Sequence, residues 1–181
     1  LIHIKESGPN EFARETAKLL EGVKDQFTKL DVKSNLVIKD NVTGEMKAVR
    51  GSYETAKDTL TLSREYGAGD YQVVLHEGTH SATSAILDAY ADPVLRQKLT
   101  IPQRISARHL NEIYSEIKGR IDSGEFSGNN AGGRPHYGLK NVNEFIAEAF
   151  SSKSFQDFLK GINLKTGKTS VWNKFVDTVR K

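Results

Sequence analysis

The sequence predicts an α+β fold: a small mixed or antiparallel sheet packed on one long buried helix, followed by a mainly helical C-terminal part. Three observations predict it. Short alternating or β-branched runs separated by turn residues fall within the first 63 positions. Helical apolar spacing dominates from Tyr71 onward. The segment Tyr71 to Tyr90 carries Gly78, Ala82, Ala85 and Ala89, small residues that let a helix lie close against a sheet. A chain of 181 residues with 37% hydrophobic composition suits a single domain. We divide it into a sheet-containing part over 1–90 and a helical part over 91–181.

Composition narrows the function classes. Lysine and arginine number 26 against 23 acids, a net charge of +3 with no basic run, so nucleic acid is not indicated as a partner. The absence of cysteine excludes a disulfide scaffold, a thiolate metal site and a thiol nucleophile. No apolar run approaches the roughly 18 residues needed to cross a bilayer, and the first residues lack the features of a secretory signal. The chain is therefore expected to be soluble and without a membrane partner. It begins without methionine, as a processed product or a part of a larger polypeptide would.

In chain order, Leu1 to Lys5 alternates as a strand does, and Ser7-Gly8-Pro9-Asn10 breaks the chain. Phe12, Leu19, Leu20, Val23, Phe27 and Leu30 recur at helical spacing, predicting an amphipathic helix over 10–30. Leu36 to Lys39 and Met46 to Tyr53, joined by the turn residues Asp40 to Gly44, predict a hairpin. Within that turn, Asn41-Val42-Thr43 is a glycosylation sequon that turn chemistry explains fully. A third strand spans Lys57 to Ser63, with Leu60 and Leu62 on one face and Thr59, Thr61 and Ser63 on the other. The buried helix follows at 71–90, and a further helix runs from Ile101 to about Gly119. Residues 122–135, rich in glycine, read as a mobile loop. Helices over 141–150, around Phe155 to Ile162, and from a Ser170 cap through Val179 complete the chain.

The chemistry centres on His76-Glu77-Gly78-Thr79-His80, an H-E-x-x-H pattern inside the predicted buried helix. Residues four apart stand one above the other on a helix, so the two imidazoles can address one zinc ion at roughly 2.0 to 2.1 Å. Glu77 is placed to accept a proton from water activated at the ion and pass it to a leaving amine. Position 86 is isoleucine and position 83 threonine, which excludes the three-histidine arrangement, and a cysteine ligand is unavailable. A downstream carboxylate is needed. Glu144 and Glu148 lie on one face of the helix at 141–150; Glu144 is the candidate ligand, and Glu148 could hydrogen-bond the outer nitrogen of a zinc histidine. The blander alternative makes Asn141 and Glu144 a helix cap and Glu148 a solvated acid.

Tyr137-Gly138-Leu139-Lys140-Asn141-Val142-Asn143-Glu144-Phe145-Ile146-Ala147-Glu148-Ala149-Phe150 resembles the tyrosine-glycine and acid-aromatic-x-Ala-Glu-Ala-Phe segment of gluzincin peptidases of the anthrax lethal-factor and Pro-Pro endopeptidase kind. It is also similar to zincin-like domains in large phage-encoded proteins. That resemblance implies a zincin-like fold and a zinc endopeptidase in which His76, His80 and Glu144 hold one ion. Glu77 would be the acid/base, Tyr137 would hydrogen-bond the oxyanion, and Glu148 would stand behind the ligands. His136 is the alternative oxyanion donor, and neighbours in an extended segment point to opposite sides. A polypeptide is the implied substrate. In zincins the strand before the motif helix is a sheet edge, so Thr59, Leu60, Thr61 and Leu62 are the candidate substrate-pairing strand. The resemblance leaves phage-virion and intracellular settings both open. The competing function is a zincin-fold binding or processing module of a larger phage or mobile-element protein with structural or vestigial zinc.

Overall fold

A computed structural model describes residues 2–8, 11–22, 29–39, 43–165 and 169–179. The chain is mixed α and β and forms two compact units, Leu1–Ser84 and Ala85–Lys181, with the boundary inside one helix.

The first unit opens with two helices, α1 (Ile2–Ser7) and α2 (Glu11–Gly22). The predicted N-terminal strand is therefore a helix. Five alternating residues do not distinguish the two states, and packing decides: Ile4 is buried with Ala13, Ala17 and Leu75. Gly8 N donates to Ile4 O, and the Arg14 guanidinium donates to Gly8 O, closing the turn between the helices. The long helix predicted over 10–30 ends at Gly22 within the described residues, and Val23 and Phe27 lie outside them. Lys29 and Leu30, at its predicted end, belong instead to strand β1 (Lys29–Lys33).

The predicted hairpin is present as β2 (Val37–Lys39) and β3 (Met46–Ala48), paired antiparallel. The run from Met46 to Tyr53 does not continue as one strand. After a bend at Arg50 it becomes β4 (Gly51–Glu54), which joins a different sheet. That sheet has the order β1-β5-β4, where β5 (Thr59–Ser63) runs parallel to β1 and antiparallel to β4. Both faces of β5 are covered: Leu62 is buried on one, Thr61 and Ser63 on the other.

Helix α3 (Tyr71–Ala91) begins in the first unit. The second unit adds α4 (Ile101–Asp122), α5 (Val142–Ser151), α6 (Lys153–Lys160) and α7 (Val171–Val179). Thr100 and Gln103 form a capping box at the start of α4, Ser152 caps α6, and the Ser170 hydroxyl accepts from Asn173 N at the start of α7. The core is aromatic. Phe145, fully buried, has Tyr114, Phe155 and Phe175 around it at centroid distances of 5.9, 5.4 and 6.1 Å.

Candidate metal centre

Helix α3 is anchored at its start. Asp70 Oδ1 accepts from Gln72 N at 2.9 Å, and its other oxygen pairs with Arg50 at 3.0 Å. Leu75 and Thr79 are fully buried, and the hydroxyls of Thr79 and Thr83 donate back to the carbonyls four residues earlier. With those polar groups satisfied inside the helix, its neighbouring face is left to His76 and His80.

The two imidazoles meet edge to face, with centroids 4.8 Å apart and planes at 78°. Their Nε2 atoms are 3.1 Å apart. Two ligands held tetrahedrally at 2.0 to 2.1 Å stand roughly 3.3 Å apart, so the pair is spaced almost as one zinc ion would space it. An N–H···N hydrogen bond accounts for the same distance in the absence of an ion.

Glu77 is half-buried and packs on the backbone of β4. A Cβ placed at Gly51 would fall 2.7 Å from Glu77 Cγ and 2.9 Å from Val73 Cγ1. This corrects the reading of Thr59, Leu60, Thr61 and Leu62 as a substrate-pairing edge. Those residues form the middle strand, with backbone groups taken by β1 on one side and β4 on the other. The physical reason is that β1 starts within the predicted helix, at Lys29 and Leu30, and continues where no strand is predicted, so local pattern does not reveal its pairing with β5. Among the described residues, β4 is the edge strand beside Glu77. Ser63 N donates to Arg50 O, so the alternation of an antiparallel ladder turns the N–H and C=O of Gly51 and Tyr53 away from β5.

In the second unit, Asn141 Oδ1 accepts from Glu144 N at 2.9 Å. The cap weighed as the blander alternative is thus present, and it engages the backbone of Glu144 rather than its carboxylate. That carboxylate accepts from the hydroxyl of Tyr137 at 3.1 Å. Asn143 donates to Asp88 at 3.3 Å, tying the start of α5 to the last part of α3. Tyr137 sits in a 3-10 turn over Tyr137–Leu139, its ring half exposed beneath the Lys140 ammonium.

His136 cannot share that role. It is 7% exposed, and its ring lies against Phe155 and Phe158 with centroids 5.4 and 4.7 Å away. The alternation of side chains sends His136 inward and Tyr137 outward. Burial lowers the His136 pKa below its ordinary value, against the opposing pull of the Glu148 charge. Glu148 lies beneath the same turn: a Cβ at Gly138 would fall 2.6 Å from Phe155 Cζ and 2.9 Å from Glu148 Cβ.

The 122–135 segment is a loop, as its composition predicts, and it is tied by hydrogen bonds. Arg120 pairs with Glu125, Asn129 bridges Pro135, Asn130 Oδ1 accepts from Gly132 N and Arg134 N, and His136 N donates to Gly128 O. The glycines that suggested freedom include Gly128, buried where a Cβ would press on Leu139 and Ile121.

His76 and His80 in the first unit and Glu144 in the second are each half-buried, and each offers one ligand atom. Two imidazoles and a carboxylate are a chemically fitting set for zinc. Gly51 and Gly138 are close-approach positions beside the candidate residues Glu77 and Glu148 that no motif marks. Gly51 carried a signal, since a glycine inside a strand pattern marks a close approach. Compared with family models, with curated proteins and with solved structures, the chain finds no match.

Proposed function

We propose that this chain is a zinc-dependent endopeptidase, with His76, His80 and Glu144 as ligands of one ion. The carrying observation is the 3.1 Å spacing of the two Nε2 atoms on the helix face next to Glu77. A zinc ion bound there would supply Lewis acidity and make water nucleophilic near neutral pH. Glu77 takes the proton of the attacking water and delivers it to the leaving amine. Tyr137 turns its hydroxyl from Glu144 to the carbonyl oxygen as negative charge develops there. Asn141 holds the backbone from which Glu144 projects. An extended polypeptide pairs with the outward backbone groups of Gly51 and Tyr53. The phage-type context of the resemblance belongs to this proposal as well.

The test is cleavage of a mixed peptide library by the wild type and by Glu77→Gln, each with measured zinc content. The wild type should cleave and lose activity to a chelator, whereas Glu77→Gln should retain about one zinc and lose turnover. Undiminished cleavage by Glu77→Gln would overturn the proposal.

A further inference from the structure

We infer that Gly51 is a positioning residue that seats the Glu77 side chain, and that Tyr53 clamps the seat in place. This rests on the proposed proton-transfer role of Glu77.

Gly51 and Tyr53 are two apart on β4 and share one face of the sheet. Val73, Glu77 and Ser81 are successive fourth residues of α3 and form one stripe. The two sets match in pitch. A strand advances roughly 6.8 Å over two residues and a helix 6 Å over four, so one strand can touch two successive turns. Gly51 lies against Val73 and Glu77, and Tyr53 reaches the next turn, where its phenol oxygen hydrogen-bonds the Ser81 hydroxyl.

Tyr53 is itself fixed. Its hydroxyl donates to Asp58 Oδ1 at 2.7 Å, and Asp58 adopts a left-handed backbone conformation (φ 46°) at the end of the short 3-10 turn before β5. Burial and the Asp58 carboxylate push the phenol up to about 12, so it remains a donor across the working range of pH. The clamp joins β4 to the residue directly after His80.

The missing side chain at position 51 is explained by space and not by backbone conformation. Gly51 is outside the left-handed region that favours glycine. Alanine is therefore conformationally permitted there, and what opposes it is Glu77 Cγ at 2.7 Å, Glu77 Oε1 at 3.2 Å and Val73 Cγ1 at 2.9 Å. The strand backbone closes one side of the space in which the Glu77 carboxylate can swing, which narrows its directions before substrate arrives.

The experiment uses the full chain. Gly51→Ala should lower kcat by about 100-fold, the scale for a displacement of roughly 1 Å. KM should stay within about twofold and zinc content unchanged. Tyr53→Phe keeps the ring, loses both hydrogen bonds, and should lower kcat by a smaller factor with zinc again unchanged. A folded Gly51→Ala variant with wild-type kcat would overturn the inference. A thermal-unfolding cycle reads the contact without activity: Gly51→Ala should shift the midpoint more in the wild type than in Glu77→Ala, where Cγ and Oε1 are gone and Val73 Cγ1 alone still opposes the new methyl. Equal shifts in both backgrounds would also overturn it. If the wild type cleaves nothing while the cycle shows coupling, the peptidase proposal fails and the seat stands.

Discussion

The hydroxyl of Tyr137 donates to the carboxylate of Glu144 at 3.1 Å, so the proposed oxyanion donor and the proposed third ligand are partners before any substrate is present. The six residues between them are used up by a 3-10 turn and a capped helix start, which bring phenol and carboxylate together. A phenol tethered in this way is oriented, and under the proposed mechanism it turns from the carboxylate to the developing oxyanion.

Tyr137→Phe is therefore expected to lower kcat by about 100-fold or more, the usual effect of deleting one oxyanion donor, with little change in KM or zinc content. Steady-state kinetics on any cleaved peptide measures this. The stability cost should be small because the ring is half exposed.

The proposed donor set predicts metal dependence. His80→Ala and Glu144→Gln should each leave the dialysed protein with far less than one equivalent of zinc, read by elemental analysis. Adding zinc at about 100 times its dissociation constant should stabilise the wild type by about 2.7 kcal/mol and leave His80→Ala nearly unmoved in thermal melts.

His136 predicts a pH dependence of stability. Its folded-state pKa is lowered, chiefly by burial. The unfolded chain therefore binds a proton more readily below its ordinary value of about 6.5, and stability is lost as pH falls through that value toward the folded pKa. His136→Phe, which can keep the packing on Phe155 and Phe158, should flatten this acid limb in urea titrations at pH 7.5 and 5.5.

Gly138→Ala should destabilise the protein by about 1 to 3 kcal/mol, because its Cβ meets Phe155 and Glu148 at distances no packed core tolerates. Urea unfolding measures the cost. Kinetics should show a reduced kcat as well, since the same turn carries Tyr137.

Much of the second unit was legible because its signals are local. Thr100, Ser152 and Ser170 lie where caps form, and the apolar stripes of α4, α5 and α7 recur at helical spacing. The first unit was harder. A five-residue alternation at the start became α1, and Lys29 and Leu30, read as the end of a helix, became β1. In both, long-range partners outweighed weak local preferences: Ile4 is buried beside Ala13 and Ala17, and β1 pairs with a strand thirty residues onward.

By itself the sequence determined the chemical inventory: two histidines and a glutamate in register on a helix, an acid and a tyrosine seven apart, and no thiol to compete with them. These depend on spacing along a continuous chain, which helical geometry converts directly into direction. Only the tertiary structure decided that β5 is the middle strand and β4 the edge, that His136 is buried while Tyr137 faces outward, and that Gly51 lies against Glu77. Strand order and close approach depend on which distant segments pack together, and no local periodicity records that choice.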